Sequence, residues 1–298
     1  MRTDDLLNFY RCDNRTETLL RALKEKSNKI ELNGVVGSGL ALIAAGVLET
    51  ELKEDVKKRP HLFVFDDKEQ AAYFMNDLEQ ILVENPRPVF LFPRSARVPY
   101  QVEITENANI AQRAEVLNEI NRGGEGCIIV SYPGALSEMV ITKKELSAQT
   151  FSIHVGNSFT LDFLDEVFLE YGFEKVDFVY EPGQYAMRGG IVDVFSYSFD
   201  HPYRIEFFGE EVESIRKFNP VSQLSVSKLT RATIVPNVGN KTLHESREAF
   251  FSFIPEDSVI WMTDVKSCEL GLQKELEKAT AHFERLEGET KRALPSEL

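Results

Sequence analysis

The stretch NGVVGSGLALIAAG, residues 33–46, has Gly34 and Gly39 bracketing four residues, Gly37 among them, the spacing of a phosphate-binding loop. Such a loop uses backbone N–H groups at a helix N-terminus to cradle phosphates, a Lys ammonium to reach the outer ones, and a Ser or Thr hydroxyl to hold magnesium. Leu40 and Ala41 stand where the Lys and the hydroxyl are required. Charge-assisted hydrogen bonds are about twice as strong as neutral ones, so these two residues remove the largest attractions for a nucleotide. The residues argue for a vestigial structural turn. Weak nucleotide binding and chance spacing are the competing readings, and the enzymatic alternative is a nucleotide-dependent DNA-repair ATPase with an atypical loop.

An ATPase also needs an acid after a hydrophobic strand, and HLFVFDD places Asp66 and Asp67 there. A carboxylate in this position is also a common helix N-cap, and KEQAAYFMNDLEQIL follows with helical periodicity. Capping is the stronger reading, magnesium binding the weaker. The five histidines are scattered without metal-ligand spacing, and Cys12, Cys127 and Cys268 form no C-x-x-C pair. No G-x-S-x-G or H-E-x-x-H motif occurs, so no catalytic residue, metal site or bound cofactor is expected in this chain.

Three segments must position these residues. Residues 1–149 alternate short apolar runs, at Lys29–Leu32, Leu62–Phe65, Pro88–Phe92 and Cys127–Val130, with amphipathic stretches such as Asp67–Val83 and Ile110–Ile120. That alternation predicts a parallel sheet covered by helices, an α/β domain. Residues 150–235 change to one helix near Leu161–Tyr171 and aromatic-rich strands, a small α+β domain, with Gly209-Glu210 as a two-residue hairpin turn. Residues 236–298 return to α/β character, with a strand at Val259–Met262 and a long charged helix from Val265 to about Glu287, and are expected to complete the scaffold. The final ALPSEL reads as an interior boundary of a longer protein.

The chain of 298 residues has a formal charge of -14 and a pI near 5.0. This acidity argues against a main role in gripping a polyanion, because nucleic-acid affinity rests largely on neutralising phosphates. No run of about 18 apolar residues occurs, so a cytoplasmic protein without a membrane partner is expected.

The most specific motif lies in the second segment, where EPGQYAMRGGIVDVF, residues 181–195, is followed by PYRIEFFGEEVESIRKFNPVSQLS, residues 202–225. This signature resembles the family formed by the excision-repair protein UvrB and the UvrB-like N-terminal module of the transcription-repair coupling factors (Mfd). The glycine loop, LFPRSARVPY and SYPGALSE extend the resemblance weakly toward the N-terminus. UvrB keeps the loop lysine and inserts a tyrosine-rich hairpin, whereas this chain has Leu40 and only a short stretch between Tyr100 and the Ile110 helix, which favours the coupling factors.

The resemblance implies a P-loop-like parallel-sheet scaffold of UvrB type and a second domain that recruits UvrA to a stalled RNA polymerase in nucleotide excision repair. It implies no ATPase activity here, with the polymerase-binding, DNA-engaging and ATP- and magnesium-using parts outside this chain. It also maps the family's UvrA-contacting residues onto Arg188, Arg204 and Phe208. Strand alternation supports two of them, putting Tyr203, Ile205 and Phe207 on one face and Arg204, Glu206 and Phe208 on the other. An outward Phe beside an Arg is an interface candidate. The plainer readings are that Arg204 pairs across the hairpin with Glu213, diagonally opposite in a regular register, and that another domain covers Phe208. Gly189-Gly190 suggests a bend or bulge that aims Arg188 outward.

Overall fold

A computed structural model describes residues 3–25, 29–53, 58–83, 87–95, 107–123, 126–197, 201–239 and 246–285. The chain divides into two compact units. The first takes Met1–Leu91, Gly124–Pro133 and Pro255–Gly271, and the second Phe92–Gly123, Gly134–Ile254 and Leu272–Leu298.

The first unit is built on a four-stranded parallel sheet in the order Val259–Met262, His61–Val64, Ile128–Ser131, Val89–Leu91. The two central strands, HLFV and IIVS, are buried at every residue. Continuous apolar runs are what a sheet covered on both faces requires. Helices Gly39–Lys53 and Lys68–Ile81 supply Ala44, Val47, Leu48, Phe74 and Leu78 to the core around Phe63, Val130 and Trp261. Asp67 caps the second helix, its carboxylate accepting from the Gln70 N–H at 2.8 Å.

One expected strand is absent. Residues 29–32 form no strand, and Ile30 and Leu32 are 40% and 39% exposed. The sequence Lys-Ile-Glu-Leu puts a charge at every second position, and a strand inside a doubly covered sheet has no solvated face for those charges.

A buried polar network closes one end of this sheet. Glu51 accepts from Arg59 at 2.8 Å, from Arg87 at 3.1 Å and from His61 Nε2 at 3.0 Å, while Trp261 Nε1 donates to His61 Nδ1 at 3.0 Å. The pattern assigns the imidazole proton to Nε2. Burial holds His61 below its ordinary pKa range, so the ring is neutral. Burial alone would raise the Glu51 pKa, but the His61 hydrogen bond and the two guanidiniums outweigh it and bring the carboxyl down to about 2.

The second unit contains a six-stranded sheet in the order Ser225–Leu229, Glu211–Phe218, Tyr203–Phe208, Ile191–Val194, Gln184–Arg188, Glu174–Lys175. Neighbours are antiparallel except the last pair. Helix Leu161–Glu170 starts at Thr160, whose hydroxyl accepts from the Phe163 N–H at 3.2 Å. The helix buries Leu164 and Phe168, and the Phe168 ring centre lies 5.0 Å from that of Tyr185 in the sheet. One sheet face, carrying Tyr185, Val192, Val194, Tyr203, Ile205 and Phe207, is thereby buried. The charged C-terminal helix spans Val265–Arg285. Among the described residues, no helix is long and apolar enough to cross a membrane.

Candidate functional site

The opposite face of the six-stranded sheet carries Arg188, Asp193, Arg204, Glu206 and Phe208. Two tight turns set it up. Gly189-Gly190 joins the strands Gln184–Arg188 and Ile191–Val194 so that Arg188 faces Ile191, and Gly209-Glu210 joins Tyr203–Phe208 to Glu211–Phe218 so that Phe208 faces Glu211. Gly189 at φ +58° and Gly209 at φ +64° provide the left-handed first residue that two-residue hairpins need. The glycine pair near Arg188 is therefore a hairpin turn and not a bulge within a strand.

Arg188 and Arg204 are brought together by a residue that the sequence reading missed. Asp193 sits directly across from Arg204 in the neighbouring strand, and its side chain is fully buried. Arg204 grips it with two bonds, Nε to Oδ1 at 2.7 Å and Nη2 to Oδ2 at 2.8 Å, and Arg188 Nη2 donates to the same Oδ2. The Arg204 side chain is pushed further above its ordinary pKa by the bond to Asp193. Arg188 also donates through Nη1 to the Asp177 carbonyl at 2.6 Å. Each guanidinium lies over a ring, Arg204 at 4.4 Å from the Phe218 centre and Arg188 at 4.9 Å from that of Phe178. Such stacking adds attraction and fixes the plane of the fork.

The partner expected for Arg204 was Glu213. A β-bulge between Val212 and Ser214 shifts the hairpin by one residue, so Arg204 lies opposite Arg216, and Arg216 is in turn tied to Glu206. Ser214 holds the other oxygen of Glu206 at 2.6 Å. Glu206 thus stands between Arg204 and Phe208 on their strand with its charge already matched.

Gln223 holds the second edge of Arg204, accepting from Nη2 on Oε1 at 3.2 Å and from Nη1 on its carbonyl at 3.4 Å. Among the described residues it is the one non-glycine with positive φ, at +59°. Its side-chain amide donates to the Pro220 carbonyl at 2.7 Å, which offsets part of the backbone cost. Phe208 lies four residues beyond Arg204 on the same face, roughly 13 Å along the strand. It is 81% exposed, and its neighbour Phe207 is 8% exposed.

The missed residues left uneven traces in the sequence. Asp193 is an acid between two valines in a strand-forming run, a position that demands a buried cation nearby. Gln223 left none, because glutamine is not a residue that announces a left-handed turn.

The glycine loop is arranged differently. Gly34 and Gly37 have φ of +78° and +54°, and the Ser38 carbonyl accepts from the Leu42 N–H at 3.1 Å as the helix Gly39–Lys53 begins. The Ser38 hydroxyl donates to Asp77 at 2.7 Å. Ala41 is buried, and Leu40 packs against the core of the parallel-sheet unit. The two positions that would handle phosphate and magnesium feed the core instead. The segment 96–106, which includes Tyr100, lies outside the described residues.

Residues 151–239, the stretch that contains the six-stranded sheet and its arginine face, match the family model described as the UvrB interaction domain. Over a longer stretch the chain is similar to transcription-repair-coupling factors. It is 29% identical over 233 residues to that of Bacillus subtilis, covering 78% of this chain and 19% of that protein. The match to the factor of Myxococcus xanthus is 30% over 184 residues, covering 60% and 15%. UvrABC system protein B of Thermus thermophilus is 25% identical over 228 residues, covering 73% of this chain and 33% of that protein. The chain spans less than a fifth of these coupling factors and a third of that UvrABC protein.

Proposed function

We propose that this chain is a non-catalytic recognition module of a transcription-repair coupling factor, whose sheet face recruits UvrA to a stalled RNA polymerase in nucleotide excision repair. The observation that carries the reading is that Arg188, Arg204 and Phe208 share one sheet face in the stretch that matches the UvrB interaction domain, with Phe208 exposed and both arginines partly exposed. The arginines are held planar and partly exposed, and the aromatic is almost free of the fold. Arginine and aromatic side chains dominate the energetics of protein interfaces. Nucleotide-dependent catalysis is disfavoured because Leu40 and Ala41 pack inward and, among the described residues, no strand precedes the glycine loop. In this reading ATP, magnesium, DNA and RNA polymerase engage other domains of a longer protein.

The test is titration of purified UvrA with the chain and with Arg188→Ala and Arg204→Ala. Each variant is expected to lose at least about tenfold in affinity while remaining folded, the scale of an interface hot spot. Wild-type affinity in both would exclude the assignment.

A further inference from the structure

Building on the docking reading, we propose that Asp193 is the positioning residue of this face: it fixes both arginines in the geometry a partner meets, and without it they lose their docking function although their charge remains. Asp193 is itself out of reach of a partner, since its carboxylate is fully buried. Its two oxygens take Nε and Nη2 of Arg204 and Nη2 of Arg188. An unrestrained arginine samples many rotamers, and ordering it at the moment of binding would subtract from affinity. Here that ordering is done in advance, by Asp193 together with the Phe218 and Phe178 rings and with Gln223.

The clamp also divides the work between the two arginines. Arg204 spends Nε and Nη2 on Asp193, and Nη2 and Nη1 on Gln223. Arg188 spends one donor on Asp193 and one on the Asp177 carbonyl, which leaves its Nε–H open among the described residues. Arg188 has 36% of its side chain exposed and Arg204 19%. Arg188 is therefore the arginine placed to donate to a partner carboxylate, and Arg204 presents mainly its stacked, partly buried plane.

Replacing Asp193 by Asn separates position from charge. The variant raises the net charge of the cluster from one positive to two, so arginines acting as simple charges would bind an acidic partner more tightly. Arginines acting as positioned forks bind more weakly, because the amide turns an N–H toward a guanidinium donor in place of an accepting oxygen.

The experiment titrates UvrA with the wild-type chain, Asp193→Asn, the double variant Arg188→Ala/Arg204→Ala, and the triple variant carrying all three changes, with near-ultraviolet circular dichroism to report folding. Asp193→Asn is expected to weaken binding at least about tenfold, and its addition to the double variant to change affinity less than about twofold, the non-additivity of groups acting as one unit. Unchanged or tighter binding by Asp193→Asn alongside a weakened double variant overturns the positioning role and leaves the docking reading standing. A full tenfold further loss in the triple variant overturns it too, since Asp193 would then act elsewhere. Wild-type binding by the double variant overturns the docking reading and this proposal with it. Should Asp193→Asn not fold, Gln223→Asn takes its place: it tolerates the left-handed backbone but withdraws the side-chain acceptor from Arg204. A loss of about threefold or more supports the prearranged fork, and wild-type affinity overturns it.

Discussion

Phe207 and Phe208 are adjacent on one strand and face opposite environments, 8% exposed in the packed side of the sheet and 81% exposed beside the arginine clamp. Two aromatic residues of the same chemistry therefore have separable roles. Phe207→Ala is expected to cost about 3–5 kcal/mol of stability, as for other buried phenylalanines. Phe208→Ala is expected to stay within about 0.5 kcal/mol of wild type in a denaturant titration, since it removes little packing. In UvrA titration the order reverses, with Phe208→Ala weakening a fully folded protein. Equal stability losses for the two variants would contradict the assignment of faces.

The turn beneath the clamp makes a second prediction. A Cβ on Gly190 would lie 2.8 Å from the Phe207 carbonyl oxygen, and the Phe207 N–H donates to the Gly190 carbonyl at 2.7 Å. Gly190→Ala must therefore displace the backbone of the docking strand and is expected to lower stability by about 1–3 kcal/mol. Gly189 has open space around it but a φ of +58°, so Gly189→Ala costs about 1–2 kcal/mol through backbone strain alone. Thermal unfolding of both variants measures the two costs. Only Gly190→Ala is expected also to lower UvrA affinity, because only it moves the strand that carries Arg204.

Glu51 makes the parallel-sheet unit acid-sensitive. Its folded-state pKa of about 2 lies below the ordinary 4.5, so its contribution is complete above about pH 4.5 and disappears as the pH falls toward 2. The shift corresponds to about 3 kcal/mol. Glu51→Gln leaves a buried cationic cluster without its central anion and is expected to cost about 3–5 kcal/mol at neutral pH. Urea titrations between pH 6 and pH 3 should show a smaller pH-dependent loss in the variant than in wild type. Parallel pH profiles would assign the acid sensitivity to other carboxylates.

Restoring the consensus chemistry of the glycine loop is expected to fail. Ala41→Thr buries a hydroxyl in the parallel-sheet core and is expected to cost about 1–3 kcal/mol. Leu40→Lys removes an apolar side chain that packs on the same core. Calorimetry with magnesium-ATP should give no heat of binding for wild type or for the Leu40→Lys/Ala41→Thr variant. Micromolar affinity in either would reinstate the nucleotide reading.

What could be read from the sequence followed the strength of local patterning. The strands expected at Leu62–Phe65 and Cys127–Val130 were legible because a run apolar at every position suits a sheet covered on both sides, and they stand one residue off, at His61–Val64 and Ile128–Ser131. Phe208 was legible as outward-facing because the alternation through Tyr203–Phe208 has no interruption. The segment 29–32 misled, since two apolar residues and the glycine turn after it imitate a strand that the packed sheet has no place for. The partner of Arg204 was illegible for a different reason. One bulged residue at Glu213 changes every cross-strand neighbour beyond it, and a glutamate carries no mark of a bulge. Asp193 was hidden because its meaning depends on arginines from two other strands that sequence spacing alone does not align.

The hydrogen bond from Trp261 to His61 joins residues 200 positions apart. It sits where the strand Val259–Met262 adds to the edge of His61–Val64, so the parallel sheet lacks an outer strand until Met262 has been made, about 200 residues after His61. The six strands of the docking sheet, by contrast, all fall within one continuous stretch, Glu174–Leu229. Because synthesis delivers the chain from its N-terminus, the sheet that bears the arginine clamp can assemble on the ribosome before the scaffold encoded ahead of it is complete.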